Sequence, residues 1–158
     1  MLIAAGRLED AKTIATTVEK TLQTQTIAYS LLIKAEIALQ QGKYLDAIEA
    51  FNDSIKRRDT WLARYLRGRA HVETEHYTEA LDDLGRCLNR RGEAADAFIY
   101  ETPTTRYITP VYYWLARAQD GLHSVDAKKN YEQYLSLTAE ADPADPLAAD
   151  ARHRIARK

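Results

Sequence analysis

Two pairs of side chains offer binding chemistry at helical spacing. Tyr65 and Arg69 stand four residues apart, and so do Tyr113 and Arg117. Four residues make about one helical turn, so each pair shares a face. An aromatic face beside a guanidinium fork suits carboxylates, phosphates or peptide side chains. The alternative is that each Tyr stacks on its own Arg as a routine surface pair.

Other chemistry is thin. Of His71, His76, His123 and His153, only the first two lie close together. Their separation of five residues puts them on different sides of a helix end, so no metal site is expected. Cys87, the single cysteine, sits where a small packing residue belongs and reads as a buried, inert thiol. There is no Gly-rich phosphate loop and no Gly-x-Ser-x-Gly, and the carboxylates are scattered. No catalytic residue and no cofactor are assigned. The chain reads as a binder, not an enzyme.

The elements that must position the two pairs come from a repeat. Gly6-Arg7-Leu8-Glu9-Asp10-Ala11 aligns with Gly42-Lys43-Tyr44-Leu45-Asp46-Ala47 and with Glu75-His76-Tyr77-Thr78-Glu79-Ala80. A degenerate fourth copy is His123-Ser124-Val125-Asp126-Ala127. Four residues after each alanine come Ala15, Phe51, Leu84 and Tyr131, and three further on lie Val18, Ser54, Cys87 and Tyr134. Those steps put each set on one helical face. The physical reading is a tight turn feeding a second helix, with an alanine that lets two axes approach closely. In the preceding helices Leu31, Ala35 and Ala38 share a face, as do Arg64, Gly68 and His71, and then Tyr112, Ala116 and Gln119. Gly68 inside a helix costs about 1 kcal/mol against Ala, which points to close packing there.

These residues resemble the tetratricopeptide repeat family, whose first helix reads aromatic-x2-Leu-Gly-x2-Tyr and whose second carries Ala-x3-Phe. The alanine spacings of 36 and 33 residues lie near the family's period of about 34. Lys34, Arg67 and His71 stand where apolar or aromatic residues belong in that pattern. The resemblance implies an all-α fold, a right-handed superhelix of antiparallel helix pairs with a C-terminal capping helix. It also implies a concave groove that binds a peptide or protein segment, faced by both Tyr–Arg pairs. The matching positions one repeat earlier are Leu32 and Glu36, with Tyr29 nearby, and Glu36 offers an alternative role in neutralising Arg69. Chaperone-binding members hold a terminal carboxylate with Lys and Asn. The matching positions here include Leu32, Glu36, Leu66, Tyr113 and Trp114 and no Asn, so that clamp is absent.

One domain spans residues 1–158: a partial repeat at 1–26, repeats at 27–60 and 61–92, an insertion at 93–109, a repeat at 110–141 and a capping helix at 145–158. The partial first repeat is read as a fragment of a longer array, because terminal repeats need a polar cap, the alternative being a short native N-terminus that frays. Its uncovered apolar end is a surface for homodimerisation. The insertion carries Tyr100 and Tyr107, whose aromatic character predicts order against the array, and Thr109-Pro110 is expected to open the next helix. Asp145-Pro146 is expected to open the capping helix. Residues 81–155 also resemble, more weakly, C-terminal repeat segments of large bacterial signalling proteins. That resemblance implies a regulatory or sensory segment acting in cis on an attached kinase or transcription regulator.

The totals agree with a helical binder. Hydrophobic residues are 46% and charged ones 28%, with six glycines and four prolines, which favours helix over many tight turns. The net charge is −1, and even the mildly basic stretch 56–91 falls short of a nucleic-acid footprint. No apolar run approaches the ~20 residues of a membrane span. The opening MLIAAG has no charged start or long apolar stretch, so no signal peptide is expected. A single cysteine fits a reducing, cytoplasmic setting and is compatible with the periplasm.

Overall fold

The computed structural model describes residues 3, 5–19, 24–96, 107–139 and 145–157, and among these it is all-helical. The helices are α1 (Leu8–Glu19), α2 (Thr24–Gln40), α3 (Tyr44–Arg57), α4 (Trp61–Glu73), α5 (Tyr77–Asn89), α6 (Glu93–Asp96), α7 (Ile108–Gly121), α8 (Asp126–Leu137) and α9 (Pro146–Ala156). Each long helix packs on the next in chain order, α5 passing directly to α7. Helices α2, α4 and α7 also touch one another in sequence, forming a row alongside the row of α1, α3, α5 and α8.

Four turns set this register. Gly6, Gly42, Glu75 and His123 all adopt a left-handed backbone, with φ of 74°, 72°, 62° and 57°. They are the four aligned turn positions of the sequence repeat. Glycine takes that conformation freely, whereas Glu75 and His123 hold it against a steric cost. The alanines five residues on (four in the last, shorter copy) are buried: Ala11 at 3% exposure, Ala47, Ala80 and Ala127 at 0%. Their partners Ala15, Phe51, Leu84 and Tyr131 are buried with them. No larger side chain fits at such a crossing without pushing the axes apart.

Helix α4 begins where Thr60 Oγ1 accepts from the amide of Ala63 at 3.3 Å. Helix α9 begins where Asp145 Oδ1 accepts from the amide of Leu147 at 3.0 Å, with Pro146 in the first helical position. Helix α7 differs from expectation. It starts at Ile108, so Thr109 and Pro110 lie inside its first turn and not at its boundary. Proline is tolerated there because first-turn amides have no intrahelical acceptor.

The buried polar groups join one row to the other. Ser30 Oγ donates to the carbonyl of Ala15 at 2.9 Å, and Ser54 Oγ to that of Ala28 at 2.8 Å. Gly68 lies against α5: a Cβ placed on it would sit 2.8 Å from Leu84 Cγ. The close approach inferred from the sequence is therefore real. Asp83, 1% exposed on α5, receives Arg67 Nε and Nη2, each at 2.7 Å, and Arg64 Nη1 at 3.0 Å. Arg67 Nη1 continues to Asn52 Oδ1 on α3 at 2.6 Å. That ion-pair network explains why Arg67 stands where the repeat pattern has an apolar residue: it spans α3, α4 and α5. No described helix is long and apolar enough to cross a membrane.

Candidate functional site

The row of α2, α4 and α7 positions the predicted residues, because each repeat places the same helical turn beside the next. Leu32, Tyr65 and Tyr113 are structurally equivalent, and all three are buried, at 6%, 2% and 2% exposure. This differs from the expected picture of tyrosine rings facing a groove. A ring at that register points into the seam between neighbouring helices, where apolar area is removed from water. Arg69 and Arg117, four residues after the two tyrosines, are half-buried as residues.

Tyr65 stacks on Trp61 with centroids 5.6 Å apart and planes 14° apart, and tilts against Tyr107 at 5.3 Å. Tyr107 thus belongs to the α4–α7 seam. Tyr100 lies outside the described residues. Burial pushes the Tyr65 phenol up to about 12, against the opposing pull of Arg69. Tyr113 meets Trp114 edge-on at 5.0 Å and also touches Tyr131 and Tyr134 on α8. Its hydroxyl donates to Asp150 Oδ2 on α9 at 2.7 Å and accepts from Arg117 Nη1 at 3.2 Å. Burial, and then the bond to Asp150, raise the Tyr113 phenol. Burial raises the Asp150 carboxyl too, but hydrogen bonds from Arg154 and Tyr113 outweigh it and the net direction is down.

Trp114 is the residue that brings the two arginines together. The guanidinium carbon of Arg69 lies 5.0 Å from the centre of its ring system, and that of Arg117 lies 5.8 Å away. Arg69 also sits 6.0 Å from the Tyr65 ring. The two Tyr–Arg pairs, read separately in the sequence, therefore converge on one indole supplied by α7. Sequence reasoning did not assign Trp114 a role, although its place three residues before Arg117 was a usable signal. It had no means of finding Asp150, which lies outside the repeat.

At the other end of the row, Tyr29 is half-buried with Arg58 5.9 Å from its ring. Glu36 is half-buried and takes part in an interaction of its own. Among the described residues no three His, Cys, Asp or Glu side chains are arranged to hold a metal ion. Cys87 is 1% exposed and burial pushes its thiol up to about 12, the setting of a packing residue.

A family model described as anaphase-promoting complex, cyclosome, subunit 3 matches residues 8–87, the stretch from α1 into α5. Its repeats are of the tetratricopeptide type. No curated protein and no solved structure matches.

Proposed function

Since the chain belongs to this family of tetratricopeptide-type repeats, we propose that its α2–α4–α7 face docks a peptide or protein segment of a partner. The family suggests a protein-interaction module, and such families are typically non-catalytic. The observation that carries the reading is the convergence of Arg69 and Arg117 on Trp114 at the α4–α7 seam. Aromatic and arginine side chains at a well-packed centre are the residue types that dominate interface energetics. Tyr29, Glu36 and Tyr107 extend the face along the row, Tyr65 and Tyr113 support it from beneath, and the insertion around Tyr100 adjoins it in sequence.

The test is capture of partners with the chain as bait, beside the Arg69→Ala/Arg117→Ala double variant. Circular dichroism and unfolding of both must match. A partner held by the parent chain and lost from a folded double variant is the expected result. A partner held equally by both would move docking to another face and overturn the assignment of these residues.

A further inference from the structure

The half-buried arginines among the described residues are Arg64, Arg67, Arg69, Arg90, Arg117 and Arg154. Four of them are matched by carboxylates. Arg64 and Arg67 pair with Asp83, Arg64 also with Asp59, Arg90 with Asp59 and Glu93, and Arg154 with Asp150 and Asp120. Arg69 and Arg117 have no ion pair with any described residue. Arg69 Nε is buried and has no hydrogen-bond partner. Arg117 has the Tyr113 hydroxyl, one step from Asp150.

We infer that the α4–α7 seam receives an oxyanion of the docked peptide, an Asp or Glu carboxylate or a phosphoryl group, at Arg69 with support from Arg117. This rests on the docking reading above and gives the partner a chemistry. A buried donor without an acceptor is uncommon in folded proteins, because its lost hydration is not replaced. Trp114 holds both cations by ring-face attraction, which uses their charge and leaves their N–H donors for an acceptor. Asp150, the carboxylate that Arg117 reaches through the Tyr113 hydroxyl, is already shared by Tyr113 and Arg154. Arg69 and Arg117 are only half-buried as residues, so an oxyanion arriving on a peptide would meet guanidinium groups already oriented by the indole, at little further ordering cost. The covered Arg69 Nε marks a hydrogen-bonding demand that the fold itself leaves unmet.

The test uses fluorescein-labelled peptides of the form Gly-Ser-Xaa-Xaa-Xaa-Ser-Gly, with Xaa as Glu, phosphoserine, Gln or Lys. Anisotropy is read at low and moderate salt. The Glu or phosphoserine peptide is expected to bind about tenfold or more tighter than the Gln peptide, which is the scale of one charge-assisted hydrogen bond. Whichever of the two binds tighter names the oxyanion. Arg69→Gln should lose about tenfold and Arg117→Gln less, while Arg91→Gln, at an exposed position between α5 and α6, should bind as the parent does. A Gln peptide that binds equally, unchanged binding by a folded Arg69→Gln variant, or tighter binding of a thymidine oligonucleotide of equal charge would each overturn the inference. Failure here is separable from failure of docking. A captured partner lost from the double variant, yet not displaced by excess acidic peptide, would overturn the oxyanion and leave the docking face standing.

Discussion

Trp61 and Cys87 bond to each other twice, in opposite directions. The indole Nε1 donates to the Cys87 carbonyl at 2.8 Å, and Cys87 Sγ donates to the Trp61 carbonyl at 3.6 Å. The pair clips the start of α4 to the end of α5, and both side chains are buried. One bond satisfies a carbonyl in the last turn of α5, which has no intrahelical donor. The thiol that looked like filler in the sequence thus also closes a hairpin.

Alkaline stability should report on that thiol. Its folded value is about 12 against an ordinary 9.0, so the stability it contributes is fully present below pH 9 and is lost as pH rises toward 12. Comparing denaturant unfolding of the parent chain with Cys87→Ala between pH 8 and 11 isolates the effect, since the raised Tyr65 titrates in both. The parent should lose stability faster with pH. Parallel curves would show that the folded state does not hold the proton.

Asp83→Asn should cost roughly 3 kcal/mol, the scale for removing one partner of a buried ion pair. Arg64 keeps Asp59, but Arg67 is left with Asn52 alone. In a double-mutant cycle, Arg67→Met combined with Asp83→Asn should cost clearly less than the two single changes together. Strict additivity, read by chemical denaturation, would mean that the network contributes nothing beyond its members.

Two turns offer gains. Glu75 and His123 hold φ of 62° and 57°, where glycine escapes the side-chain clash. Glu75→Gly and His123→Gly should each stabilise by about 0.5 kcal/mol, the relieved strain of about 1 kcal/mol offset in part by unfolded-state entropy. Gly42→Ala should destabilise at the equivalent turn. Thermal unfolding of the three variants gives the signs.

Two helical glycines should respond oppositely to the same change. Gly68→Ala would force a Cβ to within 2.8 Å of Leu84 Cγ and 3.4 Å of Asp83 Cβ, and Leu84 is fully buried. We expect a net loss of about 1–2 kcal/mol, overpacking outweighing helix propensity. At Gly85 nothing lies within 4 Å, so Gly85→Ala should gain up to about 1 kcal/mol. Unfolding free energies of opposite sign are the expected outcome.

The fold was legible in the sequence to the level of register. A three-and-four spacing from Ala47 through Phe51 to Ser54, repeated from Ala80 and Ala127, dictates one buried helical face per copy. Both the positive-φ turns and the buried alanines fall at the aligned positions. Local periodicity sufficed because a helix presents its face by geometry alone. The start of α7 was less legible, since proline is acceptable at several first-turn positions and does not mark one boundary.

The amino-acid order by itself therefore determined the helical hairpins, their alanine crossings and the presence of two Tyr–Arg pairs. Only the tertiary structure decided what those pairs do. Stacking α7 on α4 buried both tyrosine rings, placed the Trp114 indole beside Arg69, and brought Asp150 of α9 onto the Tyr113 hydroxyl. Residues 45 and 37 positions apart met because helix pairs packed side by side. Helical periodicity fixes which face a side chain occupies, whereas its opposite number across the seam is chosen by packing between repeats.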